Sequence, residues 1–442
     1  MLSRSGAWTW LLRKEWRDLV SSRSWWVMFA LMGPLVGVSF INAVRSYAEA
    51  SGQGGTAAAL SDTLFPLDGV VAPTFSAYEI AASFLLPFVA IRAVAGDRQS
   101  GALKLELQQG MPPIAMIGAK GFVLLLAWLL AGLPIALAGV FWVSYGGSLY
   151  PPELMSLLIG HVLNAGVVIA LAAAAASLSE HPSTAAILVL TFTVGTWVLS
   201  FVAAFQGGIW EQIASYTPSE MLQAFRRGLI RLDLIIAGLI FIAAGFVLAA
   251  IWMRLGAPLR RKAVESIAVL TVSAILLIGA SFVRPNWDVS ENQRNSFSES
   301  QTAILSSIRT PLRIQAHLAP EDPRRFDLEQ QTLSKLRRTM PDVTVAYVSQ
   351  TSTGLFEQAN ANYGEIRYDL GGKKAVSQIT TPRGVLDTIY ELAGVPLPQE
   401  GSASQPGHPL VAEPRGAFSL FYIVWPLAVL GLVFFFQRRR FT

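Results

Sequence analysis

The chain contains no cysteine among its 442 residues. That absence excludes disulfide bonds, thiolate nucleophiles and cysteine-ligated metal sites. Charge is also scarce, since 14% of the residues are charged while 52% are hydrophobic. A globular surface for a chain of this length requires more charge than this. The composition therefore predicts a polytopic α-helical membrane protein.

The motifs of the common catalytic sites are missing as well. The sequence has no Gly-x-x-x-x-Gly-Lys-Ser/Thr phosphate-binding loop, no His-Glu-x-x-His and no Gly-x-Ser-x-Gly. We therefore expect no enzymatic activity, no catalytic residues, no metal and no cofactor on this chain. The net charge of +5 is modest and lies mainly in short loops, so we expect no nucleic-acid partner either.

Eight apolar runs have the length of about 20 residues that a bilayer core requires. They cover residues 24–44, 77–95, 122–144, 154–178, 185–205, 232–253, 264–283 and 418–436. Charged residues interrupt the segment before the first run, so a cleavable signal peptide is not expected. Lys and Arg flank the runs in a pattern that predicts a cytoplasmic (inner) membrane protein with both termini cytoplasmic. The basic loop at 226–231 departs from that pattern.

The segment 96–107, between the second and third runs, combines charge with regularly spaced leucines. This pattern predicts a short helix on the membrane surface. With Met111-Pro112 and the Gly118-Ala119-Lys120 that leads into the next run, it resembles the first cytoplasmic loop of type-two ABC exporter permeases. The resemblance implies contact with a separate ATPase, with Asp97 where the family usually has Glu. The residues implicated are Asp97, Arg98, Gly101, Leu103 and Glu106.

Two further segments resemble ATPase contacts of that family. Residues 1–23 carry Trp8, Leu12, Trp16 and Leu19 at helical spacing, which predicts an amphipathic helix. It resembles the family's elbow helix, although such a helix is also a common membrane anchor. The residues that this resemblance implicates are Arg13, Lys14, Glu15 and Arg17. Glu180 and His181 lie where the family makes a smaller second contact, but the sequence itself shows only a turn there.

Polar residues near the fourth to sixth runs suggest two other sites. Thr217-Pro218-Ser219-Glu220 is a capping-box sequence that predicts a short amphipathic helix ending near Gly228. The resemblance implies an extracellular gate formed by Glu220, Phe225 and Arg226, while a plain interfacial connector remains the alternative. His161 and Asn164 share one face of the fourth run. Polar groups at membrane depth need partners, so these two residues serve either interhelical hydrogen bonding or a substrate path.

Residues 284–416 differ from the rest because charge returns and the apolar runs shorten. The pattern predicts the element order β-α-β-β-β-α, which matches a thioredoxin-like α/β fold, on the extracytoplasmic side. The entry Asn286-Trp287-Asp288-Val289-Ser290 and the strand after Pro311 resemble the auxiliary domain of gliding-motility-type ABC transporters. Without cysteine such a domain cannot be a thiol oxidoreductase, so we expect it to bind an extracytoplasmic partner.

These patterns predict six spans within 24–262, a seventh span at 263–283, the outer domain, and an eighth span with a basic tail at 417–442. The resemblance implies that the first six spans form an exporter-type permease domain. The resemblance implies an export permease served by a dimeric cytoplasmic ABC ATPase, which would hold ATP and magnesium. A second permease copy or a paralogue, together with membrane lipid, completes the expected partners. The alternative is a non-transporting machine that relays ATPase-driven movement to an envelope partner. The sequence does not predict the identity of the substrate.

Overall fold

A computed structural model describes residues 4–52, 64–108, 111–206, 209–319, 322–348, 362–397 and 407–438. Within these ranges eight helices are long and apolar enough to cross a membrane, and we number them spans 1 to 8. They are Arg23–Gly52, Leu67–Ser100, Pro113–Ser144, Pro151–Leu178, Pro182–Ala203, Leu232–Met253, Leu259–Ala280 and Ala417–Phe436. Each predicted apolar run coincides with one of these helices, so the prediction of a multi-pass helical membrane protein is confirmed.

The chain folds into two compact units. The first unit contains Met1–Thr196, Pro218–Val289 and Gln405–Thr442, and the second contains Trp197–Thr217 and Ser290–Ser404. Spans 1 to 4, 6, 7 and 8 belong to the first unit, and so does the first part of span 5. The second unit contains the four-stranded sheet.

The N-terminal helix, Arg4–Ser21, is amphipathic as predicted. Its Leu11 and Leu19 are buried, whereas Trp8 and Trp10 are about half exposed. Only Ser22 separates this helix from span 1. The helix is therefore fixed close to the end of that span.

The segment after span 2 differs from its prediction. Span 2 consists of a π-helical turn, Leu67–Val71, and the helices Ala72–Phe84 and Leu86–Ser100. Its last helix thus continues through residues 96–100, and a separate short helix, Ala102–Gln108, follows. We call Ala102–Gln108 the loop helix. Gly101 separates the two helices because its φ of +78° is costly for any residue with a Cβ atom. The expected single helix over 96–107 is wrong for this reason.

Spans 2, 3 and 6 pack around span 4, most of which is buried. Span 3 comprises Pro113–Ala131 and Leu133–Ser144, and span 6 ends at Met253. Span 8 begins with Ala417–Ser419 and the π-helical turn Leu420–Val424, and its last helix is Trp425–Arg438. It packs on span 1, where a Cβ atom on Gly37 would lie 2.6 Å from the Cβ atom of Phe421. Trp425 Nε1 also donates a hydrogen bond to the carbonyl of Phe29 at 3.0 Å.

Spans 5 and 7 are the least buried of the eight. The full helix of span 5 is Pro182–Gln206, and Ile209–Ala214 and Pro218–Arg226 are short helices that follow it. Ile187 in span 5 and Ile267 in span 7 are each more than 60% exposed. These faces are apolar, so in a bilayer they meet lipid or another helix.

The second unit contains a mixed sheet of four strands. After strands β1 (Leu229–Arg231) and β2 (Asn286–Asp288) of the first unit, the sheet strands are β3 (Leu312–Ala316), β4 (Val343–Tyr347), β5 (Ile366–Leu370) and β6 (Lys373–Ser377). Their spatial order is β4-β3-β5-β6, with β3 parallel to β4 and the other pairs antiparallel. Ile314 in β3 is paired with Val345 on one side and Tyr368 on the other.

Helices cover the sheet of the second unit. Ser298 and Gln301 form a capping box at the start of helix Glu299–Ser307. The connection from β3 to β4 consists of Pro323–Leu328, which Asp322 caps, a π-helical turn Glu329–Leu333 and Ser334–Thr339. Helix Pro382–Ala393 ends at Gly394. The described elements from β3 onward follow the predicted order β-α-β-β-β-α.

Candidate functional site

Five charged side chains from four segments form a network that we call the ion-pair network: Lys14 and Glu15 of the N-terminal helix, Asp97 at the end of span 2, Glu106 of the loop helix and Lys120 of span 3. Lys120 Nζ lies 2.6 Å from Glu15 Oε2 and 2.5 Å from Asp97 Oδ2. Lys14 Nζ lies 2.9 Å from Asp97 Oδ2 and 2.6 Å from Glu106 Oε1. The network therefore connects residues that are up to 106 positions apart in the chain, counted from Lys14 to Lys120.

The network is largely shielded from water. The side chain of Lys120 is 2% exposed, and those of Glu15 and Glu106 are 5% and 8% exposed. Burial raises the pKa of the Glu15 carboxyl, and the two lysines oppose that effect. Burial alone would lower the pKa of Lys14, but the hydrogen bond to Glu106 and the nearby charges of Glu15 and Asp97 raise it. Lys14 thus stays charged at neutral pH, and both lysines contact the carboxylates.

The same carboxylates have a spacing that a cation could bridge. One oxygen each of Glu15, Asp97 and Glu106 lies within 4.8 Å of the others. The ammonium groups of Lys14 and Lys120 already approach these oxygens to between 2.5 and 3.0 Å. They supply both positive charge and hydrogen-bond donors, so the arrangement fits an internal ion-pair network better than a metal site.

Arg98 extends this arrangement to the end of span 4. Its Nη1 donates to the carbonyl oxygens of Ser177 and Ser179, both at 2.9 Å. These carbonyls lie at the C-terminus of the span 4 helix, where a cation is favourable. The polar turn with Glu180 and His181 follows directly, and both side chains are exposed. The structure therefore brings the two predicted ATPase-contact loops and the N-terminal helix together.

The individual candidates have different environments within this region. Glu106 and Leu103 are buried and Asp97 points into the ion-pair network, so the expectation that the loop's charges face outward is wrong for Asp97 and Glu106. Leu105 is the prominent exposed apolar residue of the loop helix, at 64%. Arg13 and Arg17 are also exposed, whereas Lys14 and Glu15 belong to the network. Gly101 lies at the helix break.

The predicted short amphipathic helix, Pro218–Arg226, packs on span 4, and we call it the gate helix after the role that the resemblance implies. Pro218–Arg226 buries Met221, Leu222 and Phe225, while Glu220 is exposed. A Cβ atom on Gly160 would lie 2.5 Å from the Cβ atom of Phe225. The lack of a side chain at Gly160 therefore leaves room for Phe225 against span 4. Gly228, with φ +79°, follows the helix as predicted.

Arg226 forms an ion pair within the first unit. Its Nη1 lies 3.2 Å from Glu79 Oε2 in span 2. Sequence reasoning did not single out Glu79, although a carboxylate inside an apolar run is itself a signal of function or pairing. Lys120 was noted only as part of the Gly-x-Lys sequence, and its buried position could not be predicted.

His161 and Asn164 are both buried in span 4. The ring of His161 packs against those of Phe75 and Tyr78, with centroid distances of 5.0 and 5.6 Å. Among the residues that the structure describes, neither ring nitrogen of His161 has a hydrogen-bond partner. The expected interhelical hydrogen bond of His161 is therefore absent from the described part of the chain, and aromatic packing holds the ring.

The segment after the gate helix is bonded to the segment after span 7. Strand β1 pairs antiparallel with β2, with Ile230 opposite Trp287, and the amide of Val289 donates to the carbonyl of Gly228 at 2.9 Å. The chain enters the second unit immediately after Val289. The gate helix is therefore followed by a strand that is hydrogen-bonded to the strand leading into the second unit.

Comparison with protein-family models, curated proteins and solved structures found no match. What the fold defines is the class: a multi-pass membrane protein with eight candidate spans and a small mixed sheet.

Proposed function

We propose that this chain is the permease subunit of an ABC transporter and couples ATP hydrolysis by a separate ATPase to export of a substrate across the cytoplasmic membrane. The observation that carries the proposal is the meeting of three segments. The ion-pair network fixes the N-terminal helix to the loop helix, and Arg98 fixes both to the turn after span 4. These are the segments that the resemblance assigns to ATPase contact.

Under this proposal the ATPase dimer binds the exposed part of that region, which we call the coupling surface: Leu105, Glu180 and His181. The buried charges position the surface rather than contact the ATPase. An exposed leucine on a surface that also carries polar side chains is typical of a protein contact. ATP and magnesium would bind the ATPase, and both termini of this chain would be cytoplasmic.

The test compares two exposed leucines. The full chain is purified from its native membrane with whatever ATPase accompanies it, and ATP hydrolysis is measured for wild type and for Leu105→Asp. A carboxylate in the centre of the contact should lower co-purified ATPase activity by at least about tenfold, the effect of a lost hot-spot residue. Insertion into the membrane should not change.

Leu255→Asp is the matched control. Leu255 is 57% exposed in the turn between spans 6 and 7, so its replacement adds the same charge outside the coupling surface. Activity should survive in this variant. Equal activity in both variants would contradict the assignment of the coupling surface.

The exposed faces of spans 5 and 7 support a second permease copy or a paralogue as a partner. Both helices are long enough to cross the bilayer but contribute little to the core of this chain. Six spans rarely enclose a pathway alone in the family that the chain resembles. Native mass spectrometry of the purified chain would give the number of copies.

A mechanical relay is the second candidate, and the pairing of β1 with β2 favours it. The gate helix is followed by β1, which bonds to the strand that enters the second unit. We infer further that the second unit is a thioredoxin-like binding domain. The order β4-β3-β5-β6, with a parallel β-α-β pair followed by an antiparallel hairpin and a helix, supports that relation. An extracytoplasmic partner would bind this domain.

Removal of the larger part of the second unit separates the two candidates. Residues 290–404 are replaced by a short flexible linker, which leaves β2 in place. If the chain is an exporter, transport and ATPase turnover should both persist. If it is a relay, turnover should persist while the physiological output disappears.

A further inference from the structure

A groove of about 1350 Å³ lies between the N-terminal helix and spans 1, 3 and 8. Its inner wall is apolar and consists of side chains from the three spans, among them Val27, Ala30, Leu126, Val429 and Leu430. Because this wall is built from membrane-spanning helices, the groove continues into the apolar layer of the bilayer. An occupant must therefore be apolar along this wall.

The mouth of the groove is positively charged. Arg13, Arg17 and Arg23 line it and are exposed, and none of them forms an ion pair among the residues that the structure describes. Asp18 also lines the mouth, but it lies 3.4 Å from Lys14 Nζ and so is already paired. Three guanidinium groups thus lack a counterion at the end of an apolar groove.

Two other features at the mouth suit an anionic group at the membrane interface. The helix of span 1 begins at Arg23, and the N-terminus of a helix favours a nearby anion. Trp16 and Trp26 also line the groove, and tryptophan is enriched at the level of lipid headgroups. The occupant should combine an anionic headgroup with long apolar chains.

We propose that this groove binds an anionic phospholipid. Its phosphate lies among Arg13, Arg17 and Arg23, and an acyl chain lies against spans 1, 3 and 8. Such a lipid bridges the N-terminal helix and the spans, and thereby holds the helix that carries Lys14 and Glu15. The inference requires only that the spans cross a bilayer, so it stands independently of the proposed transport function.

Native mass spectrometry tests the proposal with the full chain in detergent. The purified protein is mixed with equal amounts of dioleoyl phosphatidylglycerol and dioleoyl phosphatidylcholine, which differ only in the headgroup. Wild type should retain the anionic lipid preferentially. The triple variant R13Q/R17Q/R23Q should lower the ratio of bound anionic to zwitterionic lipid at least about tenfold, since each arginine near an anionic lipid contributes roughly fivefold.

A second triple variant, R45Q/R260Q/R284Q, is the charge-matched control. These exposed arginines lie in span 1, at the start of span 7 and after span 7, all outside the groove, so the wild-type ratio should be retained. A third variant, A30W, keeps all the arginines but fills the groove, and should reduce retention of both lipids. Equal retention of the two lipids by wild type, an unchanged ratio in R13Q/R17Q/R23Q, or unchanged retention in A30W would each overturn the proposal.

Discussion

Lys120 is a charged residue that is almost completely removed from solvent, with 2% of its side chain exposed. Its ammonium group contacts the carboxylates of Glu15 and Asp97, which come from different parts of the chain. A buried ion pair adds little net stability compared with apolar packing, but loss of one partner leaves an uncompensated charge. The value of such a residue lies in fixing one arrangement of the N-terminal helix and span 3.

Replacement of Lys120 by methionine should therefore destabilise the first unit strongly. It leaves Glu15 buried without its closest cation, at a cost of about 3–5 kcal/mol. The midpoint of thermal unfolding in detergent should fall clearly, and the double variant K120M/E15Q should recover part of the loss. The control is R92M, which removes an exposed charge from the helix of span 2 that also carries Asp97. This variant should leave the unfolding midpoint unchanged. A K120M midpoint equal to that of wild type would show that the network is not structural.

Asp322 gives a pH-dependent prediction for the second unit. Hydrogen bonds from Arg324 and Tyr363 lower the pKa of its carboxyl to about 2, below its ordinary value of 3.8. A lowered pKa in the folded state stabilises the fold above pH 3.8, and this contribution is lost as the pH falls toward about 2. Hydrogen exchange in residues 323–339 should be faster in Asp322→Asn than in wild type at neutral pH. The two should converge near pH 2, and a constant difference across that range would contradict the assignment.

At the level of elements, the gate helix depends on close contact with span 4. Gly160 leaves room for Phe225, and Ser156 Oγ donates to the carbonyl of Phe225 at 3.0 Å. Gly160→Leu should displace the helix, with an overpacking cost of about 1–3 kcal/mol visible as a lower unfolding midpoint. Gly195→Leu in span 5 is the control, because a Cβ atom there meets nothing within 4 Å. Similar unfolding midpoints in both variants would show that the contact between Gly160 and Phe225 does not stabilise the protein.

The elements could be predicted from the sequence to different extents. All eight spans were predictable because bilayer thickness imposes a length and a composition that local sequence shows directly. The break at Gly101 was not, since residues 96–107 have no apolar period that distinguishes one helix from two. Capping of helix Glu299–Ser307 was predictable because Ser298 and Gln301 are local partners. Local patterns therefore predicted element type better than element ends.

Even less of the candidate site could be predicted from local sequence patterns. The sequence predicted that Lys14, Glu15, Asp97 and Glu106 lie in important segments, but not that their side chains bind each other. That pairing depends on how distant segments pack, and Lys120 and Glu79 became visible only through their partners. The exposure of the individual side chains could not be predicted either. In the loop helix it is Leu105 that is exposed and available for contact.

At the scale of the whole molecule, the proposed topology is open to direct labelling. The chain has no cysteine, so single introduced cysteines give an unambiguous readout. Ser306→Cys in the second unit should react with a membrane-impermeant thiol reagent added to intact cells, whereas Ser183→Cys at the start of span 5 should react only after permeabilisation. Ser349 and Thr442 would report on the same two sides, but they lie outside the described residues. Labelling of Ser183→Cys in intact cells would overturn the orientation.

The most direct test of the central claim is photo-crosslinking at Leu105. A benzophenone amino acid placed at this position in the full chain should crosslink in the native membrane to a polypeptide that carries a Gly-x-x-x-x-Gly-Lys-Ser/Thr loop, identified by mass spectrometry. The same probe at Leu255 should not capture it. If the Leu105 probe crosslinks only to lipid or to this chain itself, no ATPase contacts the loop helix and the permease proposal is contradicted.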